Sequence, residues 1–300
     1  MGSGNWDKDD FVSYSCSTGK TVNFATGDVT SNRVQDFYKQ KGMHPTLDPY
    51  NVIRECCDGE DHPATIPVIL ALDVTGSMGS ACVRTAQKLN EIMTTLYNEI
   101  PDVEFMVMGI GDLAYDNCPI QASQFESDVR IAEAMDRVYM EHGGGGNGYE
   151  SYTAAWYFGL HNTKLDCWGR GKKGIIITMG DEPLNPYLPR LELNEVLGSK
   201  AQANVETKDL YKEVLDKFDV YHLAINDSDS SYGWYRKYIE NTWGELLGDN
   251  YKAVTLNELP QAIVACITNS RDSEIPVDNS WLETPVEAIE EEKTDNVISW

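Results

Sequence analysis

The sequence predicts an α/β protein with a mostly parallel sheet and helices packed on both of its faces. A continuous apolar run at 67–72 and the mostly apolar segments at 103–110 and 174–179 are typical of strands that are buried on both sides. Between them lie segments with apolar residues at helical spacing, most clearly at 79–100. This alternation indicates a doubly wound, Rossmann-like fold. Such a sheet places its functional crevice at the carboxyl ends of the strands, where the strand order reverses.

The chain divides into three parts by composition. Residues 1–65 are polar and irregular, and they predict an N-terminal extension with a hairpin near 12–24 and short helices near 31–40 and 48–57. Residues 66–270 hold the alternating strands and helices of the α/β domain. Residues 271–300 contain nine Asp or Glu against one Arg and one Lys, which predicts an acidic and flexible tail.

The remaining elements of the domain follow from shorter patterns. A glycine run at 143–146 separates two helical segments. We expect further helices at 127–141, 151–161, 205–218, 234–247 and 257–270. We expect further strands at 120–125, as a short edge strand, and at 220–225 and 251–254.

The net charge excludes two classes of partner. The chain has 24 Lys and Arg against 48 Asp and Glu, so its formal charge is −24. Nucleic acids and anionic membrane surfaces both require a basic face, so neither is expected as a partner. The first ten residues lack an apolar signal core, and no apolar stretch approaches the ~18 residues of a membrane span. Seven cysteines at irregular spacing indicate reduced thiols, and we therefore expect a cytoplasmic protein.

Asp73, Thr75 and Ser77 form the sharpest local motif in the sequence. They alternate directly after the buried strand at 67–72, so that one turn can direct a carboxylate and two hydroxyls at the same point. Hard oxygen ligands of this kind suit Mg²⁺ or Mn²⁺. The alternative is a plain helix N-cap followed by a turn. Asp181 follows a second buried strand, and Asp112 follows a third, at the same predicted edge of the sheet.

These residues resemble the metal-ion-dependent adhesion site (MIDAS) of von Willebrand factor A (vWA) domains, which has the pattern Asp-x-Ser-x-Ser, then a distant Thr and a distant Asp. The resemblance covers residues 66–270 and assigns Asp73 to the first position, Thr75 and Ser77 to the hydroxyl positions, and Asp181 to the last. The Asp181-Glu-Pro segment is similar to that of a subset of intracellular, prokaryotic or phage-type vWA proteins. This subset includes the vWA domains found with atypical α-kinases and relatives that work with MoxR-type AAA+ ATPases.

The place of the distant Thr stays open among three residues that follow the glycine run. Glu150, Ser151 and Thr153 compete for it, and the likeness to the α-kinase-associated subset favours Glu150 or Ser151. Asp112 is either a carboxylate that supports the site from behind or a loop residue that caps a turn.

The resemblance implies binding of Mg²⁺, or of Mn²⁺ or Ca²⁺, and a role in recognition without catalysis. An Asp or Glu of a protein partner would fill the open position on the metal, and a MoxR-type AAA+ ATPase is one partner that the resemblance suggests. One alternative is an assembly component whose metal only stabilises the fold. A less favoured alternative is a metal-assisted hydrolase, with Glu182 or Asp112 as the base.

Overall fold

A computed structural model describes residues 4–141, 147–227 and 230–276. The glycine run and residues 277–300 of the predicted tail lie outside the described residues. The strands are β1 (Arg54–Cys56), β2 (Ile66–Asp73), β3 (Val103–Ile110), β4 (Ile120–Glu126), β5 (Thr163–Leu165), β6 (Gly174–Gly180), β7 (Tyr187–Leu188), β8 (Val205–Glu206), β9 (Phe218–Ile225) and β10 (Tyr251–Val254). The α-helices are α1 (Lys8–Ser17), α2 (Val34–Phe37), α3 (Gly79–Gln87), α4 (Leu89–Glu99), α5 (Arg130–Asp136), α6 (Ala154–His161), α7 (Arg190–Leu197), α8 (Thr207–Leu215), α9 (Tyr232–Leu247) and α10 (Leu259–Ser270).

Six strands form the central sheet in the order β10-β9-β6-β2-β3-β4. Every neighbouring pair is parallel except β3 and β4, so the expected mostly parallel sheet is confirmed and β4 is its antiparallel edge. The chain runs outward from β2 through β3 to β4, and then returns to the other side of β2 to form β6, β9 and β10. The strand order therefore reverses between β2 and β6, which makes the carboxyl ends of these two strands the predicted crevice.

The sheet is covered on both faces, as its continuous apolar strands require. In β2, Val68 and Leu70 point to one core, and Ile69 and Ala71 point to the other. Helices α3, α4, α5 and α10 cover the first face, and α6, α8 and α9 cover the second. Each face thus removes a full layer of apolar side chains from water, which is the main favourable term in folding.

The N-terminal extension differs from its sequence prediction. Helix α1 stands where we expected the hairpin, because Asp7 Oδ1 accepts hydrogen bonds from the N–H groups of Asp9 and Asp10 and caps the helix. The alternation near Val12 is therefore incidental, and Phe11 is buried instead. The expected helix at 48–57 is also wrong, because β1 pairs in parallel with β5 at that place. The helix expected near 31–40 is the single turn α2.

The helix predicted at 79–100 is two helices, α3 and α4, which meet at Lys88. Lys88 has a φ of −98° and a ψ of 7°, which differ from helical values and separate the two helices although the apolar spacing continues across it. Helix α7 and the short strands β5, β7 and β8 were not expected, since their segments carry little periodicity. Among the described residues, no helix is both long and apolar enough to cross a bilayer.

Candidate metal centre

The structure brings Asp73, Thr75, Ser77 and Asp181 together at the predicted crevice. Asp73 is the last residue of β2, and Asp181 follows β6, its neighbour in the sheet. A 3₁₀ turn at Gly76–Met78 folds the chain back over the end of β2. Through this turn, the Ser77 hydroxyl donates to Asp181 Oδ1 at 3.1 Å. The site therefore joins two strands that are far apart in the sequence.

Both oxygens of the buried Asp73 carboxylate accept hydrogen bonds. Oδ1 accepts from the Thr75 N–H at 2.9 Å and from the Thr75 hydroxyl at 2.6 Å. Oδ2 accepts from the Tyr152 hydroxyl at 2.6 Å. Tyr152 was missed in the sequence because nothing in the local pattern distinguishes it from a core aromatic residue. Its ring lies against Gly180, where an added Cβ would come within 2.2 Å of the hydroxyl, so β6 needs a glycine there.

Asp181 is held in a similar way. Its Oδ1 accepts from Ser77, and its Oδ2 accepts from the backbone N–H of Ser231, the residue that precedes α9. A hydroxyl has one proton and two lone pairs. Because Thr75 and Ser77 give their protons to the two carboxylates, the lone pairs of both hydroxyl oxygens are left to accept from or to ligate another group.

The three candidates for the distal position have different environments. The Thr153 hydroxyl accepts from Asn185 Nδ2 at 2.6 Å, and the Ser151 hydroxyl accepts from the Leu113 N–H at 3.0 Å. Glu150 is only 3% exposed, and its Oε2 has no hydrogen-bond partner. A buried carboxylate oxygen without a partner is costly. Of the three, Glu150 is thus the one whose environment calls for an additional group.

Asp112 caps a turn, which is one of the two roles expected for it. Its Oδ1 caps a turn by accepting from the Ala114 N–H at 2.8 Å, while its Oδ2 is buried and has no partner. Glu182 directly follows Asp181, and its pKa is raised by burial and then by the charges of Asp181, Asp112 and Asp116. Asp116, which no motif in the sequence marks, accepts a hydrogen bond from the Asp112 N–H at 2.7 Å and belongs to the same acidic surroundings.

The acidic groups of the site shift one another's ionisation. Burial, and then the charge of Asp181, raises the pKa of Asp73 to about 8. Burial, and then the charges of Asp73 and Glu182, raises the pKa of Glu150 to about 10. Burial also raises the pKa of Asp181, and it raises that of Glu182 to about 7 with a further contribution from Asp181. Each of these shifts means that the protein alone disfavours the ionised groups, so that protons or a cation would stabilise the cluster.

An aromatic stack supports the site from below. The Tyr152 ring packs edge-on against His222 and Trp243, with ring centroids 5.3 and 5.7 Å apart. His222 stacks flat on Trp243 at 3.7 Å, and its Nδ1 lies 2.9 Å from the Thr178 hydroxyl. Burial lowers the pKa of His222 well below its ordinary value, so the ring is neutral. The Tyr152 hydroxyl is thus positioned by packing that involves both β9 and α9.

The donor set fits a hard divalent cation. It offers two hydroxyl oxygens with free lone pairs and two carboxylates, and hard divalent cations take oxygen ligands of these kinds. Within the described residues, no three or more His, Cys, Asp or Glu side chains are placed to hold a metal ion by themselves. A metal here would therefore depend on the hydroxyls and on water as well as on carboxylates.

Comparison with solved structures finds distant neighbours of the chain. No family model matches the chain, and no curated protein matches it significantly. The open form of the pilus adhesin SpaC from Lactobacillus rhamnosus GG is similar at a TM-score of 0.43 and 13% identity, over 72% of this chain and 31% of that chain. Proximal thread matrix protein 1 from the mussel byssus is similar at a TM-score of 0.41 and 10% identity, over 68% of this chain and 46% of that chain. The chain spans less than half the length of either protein, and neither bears on its function.

Proposed function

We propose that this protein is a vWA-type module that binds Mg²⁺, or Mn²⁺ or Ca²⁺, and uses it to dock a carboxylate of a protein partner. The observation that carries the proposal is the pair of hydroxyl-to-carboxylate hydrogen bonds at the strand-order switch point. Thr75 donates to Asp73, and Ser77 donates to Asp181. Both hydroxyl oxygens then keep lone pairs for a metal, and both carboxylates can hold its water ligands.

Recognition follows from the charge of such a ligand set. Hydroxyls and water are neutral, so they leave much of the positive charge of a bound metal unquenched. An Asp or Glu from a partner is attracted to that charge, and the bond is strong in a partly dry interface. Glu150 modulates this attraction. If Glu150 ligates the metal directly, it adds a negative charge and weakens capture of the partner; if it contacts a water ligand, it orients that water.

The cellular setting belongs to the same proposal. The vWA proteins that the sequence resembles are intracellular, and some of them act as adaptors of MoxR-type AAA+ ATPases. We therefore propose a cytoplasmic adaptor or scaffold, with an ATPase of this type as one partner. The chain has a net charge of −24 and therefore repels acidic proteins at long range. We thus expect the carboxylate of the partner to lie on an otherwise neutral or basic surface.

One observation favours a second candidate, a site that only stabilises the fold. All four oxygens of Asp73 and Asp181 already accept hydrogen bonds from the chain itself. In this alternative, the metal joins β2 to β6 and to the start of α9 without an outside ligand. The two candidates differ in whether the loss of the metal releases a partner.

Thermal unfolding with and without Mg²⁺ tests the metal claim. A ligand at 100 times its dissociation constant stabilises the native state by about 2.7 kcal/mol, so we expect the Tm to rise by about 4–5 °C. The variant Asp73→Ala should lose this rise. Asp249→Ala, which removes an exposed carboxylate elsewhere, should keep it. An identical rise in both variants, or none in the native protein, contradicts metal binding at this site.

Affinity purification from a lysate in Mg²⁺, followed by elution with EDTA, separates docking from stabilisation. We expect partner proteins to be released by EDTA and to be absent from a parallel Asp73→Ala preparation. Partners that survive both treatments would identify the metal as structural.

A further inference from the structure

Helix α9 displays an aromatic surface beside the acidic site. We call Trp234, Tyr235 and Tyr238 the aromatic ridge; they are 91%, 42% and 67% exposed. The opposite face of the same helix is buried through Tyr232, Ile239, Trp243 and Leu247. Aromatic side chains lose much unfavourable contact with water when they are covered, and Trp and Tyr dominate the energetics of interfaces. The ridge is therefore an unpartnered face with the composition of a binding surface.

The ridge is continuous with the candidate metal centre. The Ser231 N–H donates to Asp181 Oδ2, and the Ser231 carbonyl accepts from the Trp234 N–H at 3.0 Å. Three residues along a helix advance by only about 4.5 Å. Trp234 therefore lies within one helical turn of the residue whose N–H group binds Asp181.

The charge of the ridge selects an acidic segment. Residues 232–238 contain Arg236 and Lys237 but no Asp or Glu, in a chain whose net charge is −24. Arg236 forms an ion pair with Glu240 at 2.8 Å, so Lys237 is the cation through which the ridge attracts a carboxylate. A segment with carboxylates is therefore attracted to the ridge and repelled by the carboxylates of the acidic site beside it.

The chain itself contains a segment of this chemistry. Residues 286–292 read Val-Glu-Ala-Ile-Glu-Glu-Glu, with apolar residues next to acids, and they belong to the part that lies outside the described residues. We call them the acidic segment. They contain four Glu and no cation, so that apolar side chains for the ridge and carboxylates for the metal are adjacent in sequence.

The acidic segment is within reach. The Ile275 N–H donates to the Gly171 carbonyl, just before β6 begins. The seven residues of β6 connect this point to Asp181. At about 3.3 Å per residue, the distance between the two is roughly 23 Å. About fourteen residues separate Ile275 from the middle of the acidic segment, and a chain of that length has a typical end-to-end distance of roughly 20 Å and a maximum near 46 Å.

We propose that the acidic segment docks on the aromatic ridge of its own chain and places a Glu carboxylate at the metal, where it competes with partners. This inference rests on the proposed function. Tethering gives the segment an effective concentration in the millimolar range, so that even a weak contact occupies the site. A partner must then displace the acidic segment, so it needs a higher concentration or a higher affinity to dock.

A fluorescein-labelled synthetic peptide of residues 283–294 tests whether the acidic segment competes for the site in the full chain. Its binding is measured by fluorescence anisotropy in the presence of Mg²⁺. The variant chain carries Glu287→Gln, Glu290→Gln, Glu291→Gln and Glu292→Gln. We expect this variant to bind the peptide at least tenfold more tightly than the native chain, because its own segment no longer competes. EDTA should abolish this binding.

The ridge is tested in the same variant background. Trp234→Ala together with Tyr238→Ala should weaken peptide binding at least fivefold, while Tyr50→Ala, at a similarly exposed ring elsewhere, should not change it. Both ridge side chains are exposed, so folding should be unaffected, and circular dichroism confirms this. Unchanged affinity in the ridge variant, or equal peptide affinity in the native and Glu→Gln chains, overturns the inference.

Isothermal titration of Mg²⁺ into each variant keeps the two proposals apart. If Mg²⁺ binds to all of them but the peptide binds to none, the internal ligand is wrong and the metal site stands. If Mg²⁺ fails to bind, both are wrong. A Mg²⁺-dependent dimer in sedimentation that the Glu→Gln chain lacks would place the segment on a second copy and overturn docking within one chain.

Discussion

Tyr152 links the candidate metal centre to the core more directly than any residue of the sequence motif. Its hydroxyl donates to Asp73 Oδ2, while its ring packs on His222 and Trp243. A hydrogen bond to the ionised form of a carboxyl group lowers its pKa, and Tyr152 has this effect on Asp73. The tyrosine thereby favours the state of Asp73 that a cation needs.

The variant Tyr152→Phe should reduce both stability and metal affinity. We expect the free energy of unfolding without metal to fall by about 1–3 kcal/mol, because a buried carboxylate oxygen loses its donor. We expect Mg²⁺ affinity at neutral pH to fall roughly fivefold, since protons compete better for Asp73. Tyr97→Phe is the matched control: its part-buried hydroxyl contacts the Val103 and Ser127 carbonyls, away from the site. Equal Mg²⁺ affinities in the two variants would show that Tyr152 has no such role.

At the residue scale, the sequence motif predicted the grouping of Asp73, Thr75, Ser77 and Asp181, because the carboxyl ends of parallel strands meet at one edge. It did not predict Tyr152 or the orphaned oxygen of Glu150. Both depend on how the turn before α6 packs, and this packing has no periodic pattern in the sequence.

At the scale of elements, strand β6 is fitted to the site by its last residue. Gly180 leaves room for the Tyr152 ring, which an added Cβ would meet at 2.2–2.3 Å. This close approach fixes the distance between β6 and the turn that carries Glu150. A side chain at this position would push the two apart and separate Asp73 from its tyrosine donor.

We expect Gly180→Ala to lower the free energy of unfolding by about 2–3 kcal/mol, as overpacking of a tight core does. Gly76→Ala, in the 3₁₀ turn of the same site, provides the control because an added Cβ there meets nothing within 4 Å. It should change stability by less than about 0.5 kcal/mol. Urea denaturation curves of the two variants measure the difference, and similar midpoints would contradict the steric argument.

Elements with strong periodicity were predictable, and those set by local capping or pairing were not. The buried strands β2, β3 and β6 follow from their continuous apolar runs. Helix α1 was mistaken for a hairpin because a few alternating residues outweighed the cap at Asp7. Strand β1 was mistaken for a helix because its three residues are ordered by pairing with β5, more than a hundred residues away.

Across the whole molecule, the buried acidic cluster makes stability depend on pH. The pKa of Asp73 is raised to about 8 and that of Glu182 to about 7, whereas both titrate near 4 in an unfolded chain. Between pH 4 and 8, the native state therefore binds more protons than the unfolded state. Stability from these groups is fully present below pH 4 and is lost as the pH rises to 8.

Without metal, we expect the free energy of unfolding contributed by this cluster to fall progressively from pH 5 to pH 8. Saturating Mg²⁺ should remove most of this loss, because it stabilises the ionised carboxylates. Urea denaturation at several pH values, with Mg²⁺ and with EDTA, measures both slopes. Asp73→Asn should flatten the slope seen in EDTA. If the free energy of unfolding in EDTA stays constant or increases with pH, the raised pKa values of Asp73 and Glu182 are contradicted. They are also contradicted if Mg²⁺ leaves the decrease with pH unchanged.

The position of the site at the strand-order switch point has a consequence for biosynthesis. Its groups come from the end of β2, the end of β6 and the residue before α9. A nascent chain that has emerged only as far as β4 carries the complete Asp73 motif but neither Asp181 nor Ser231. The proposed cation could therefore not template the early half of the sheet during translation. It could bind both carboxylates only after Asp181 has left the ribosome, so metal loading would follow the synthesis of β6.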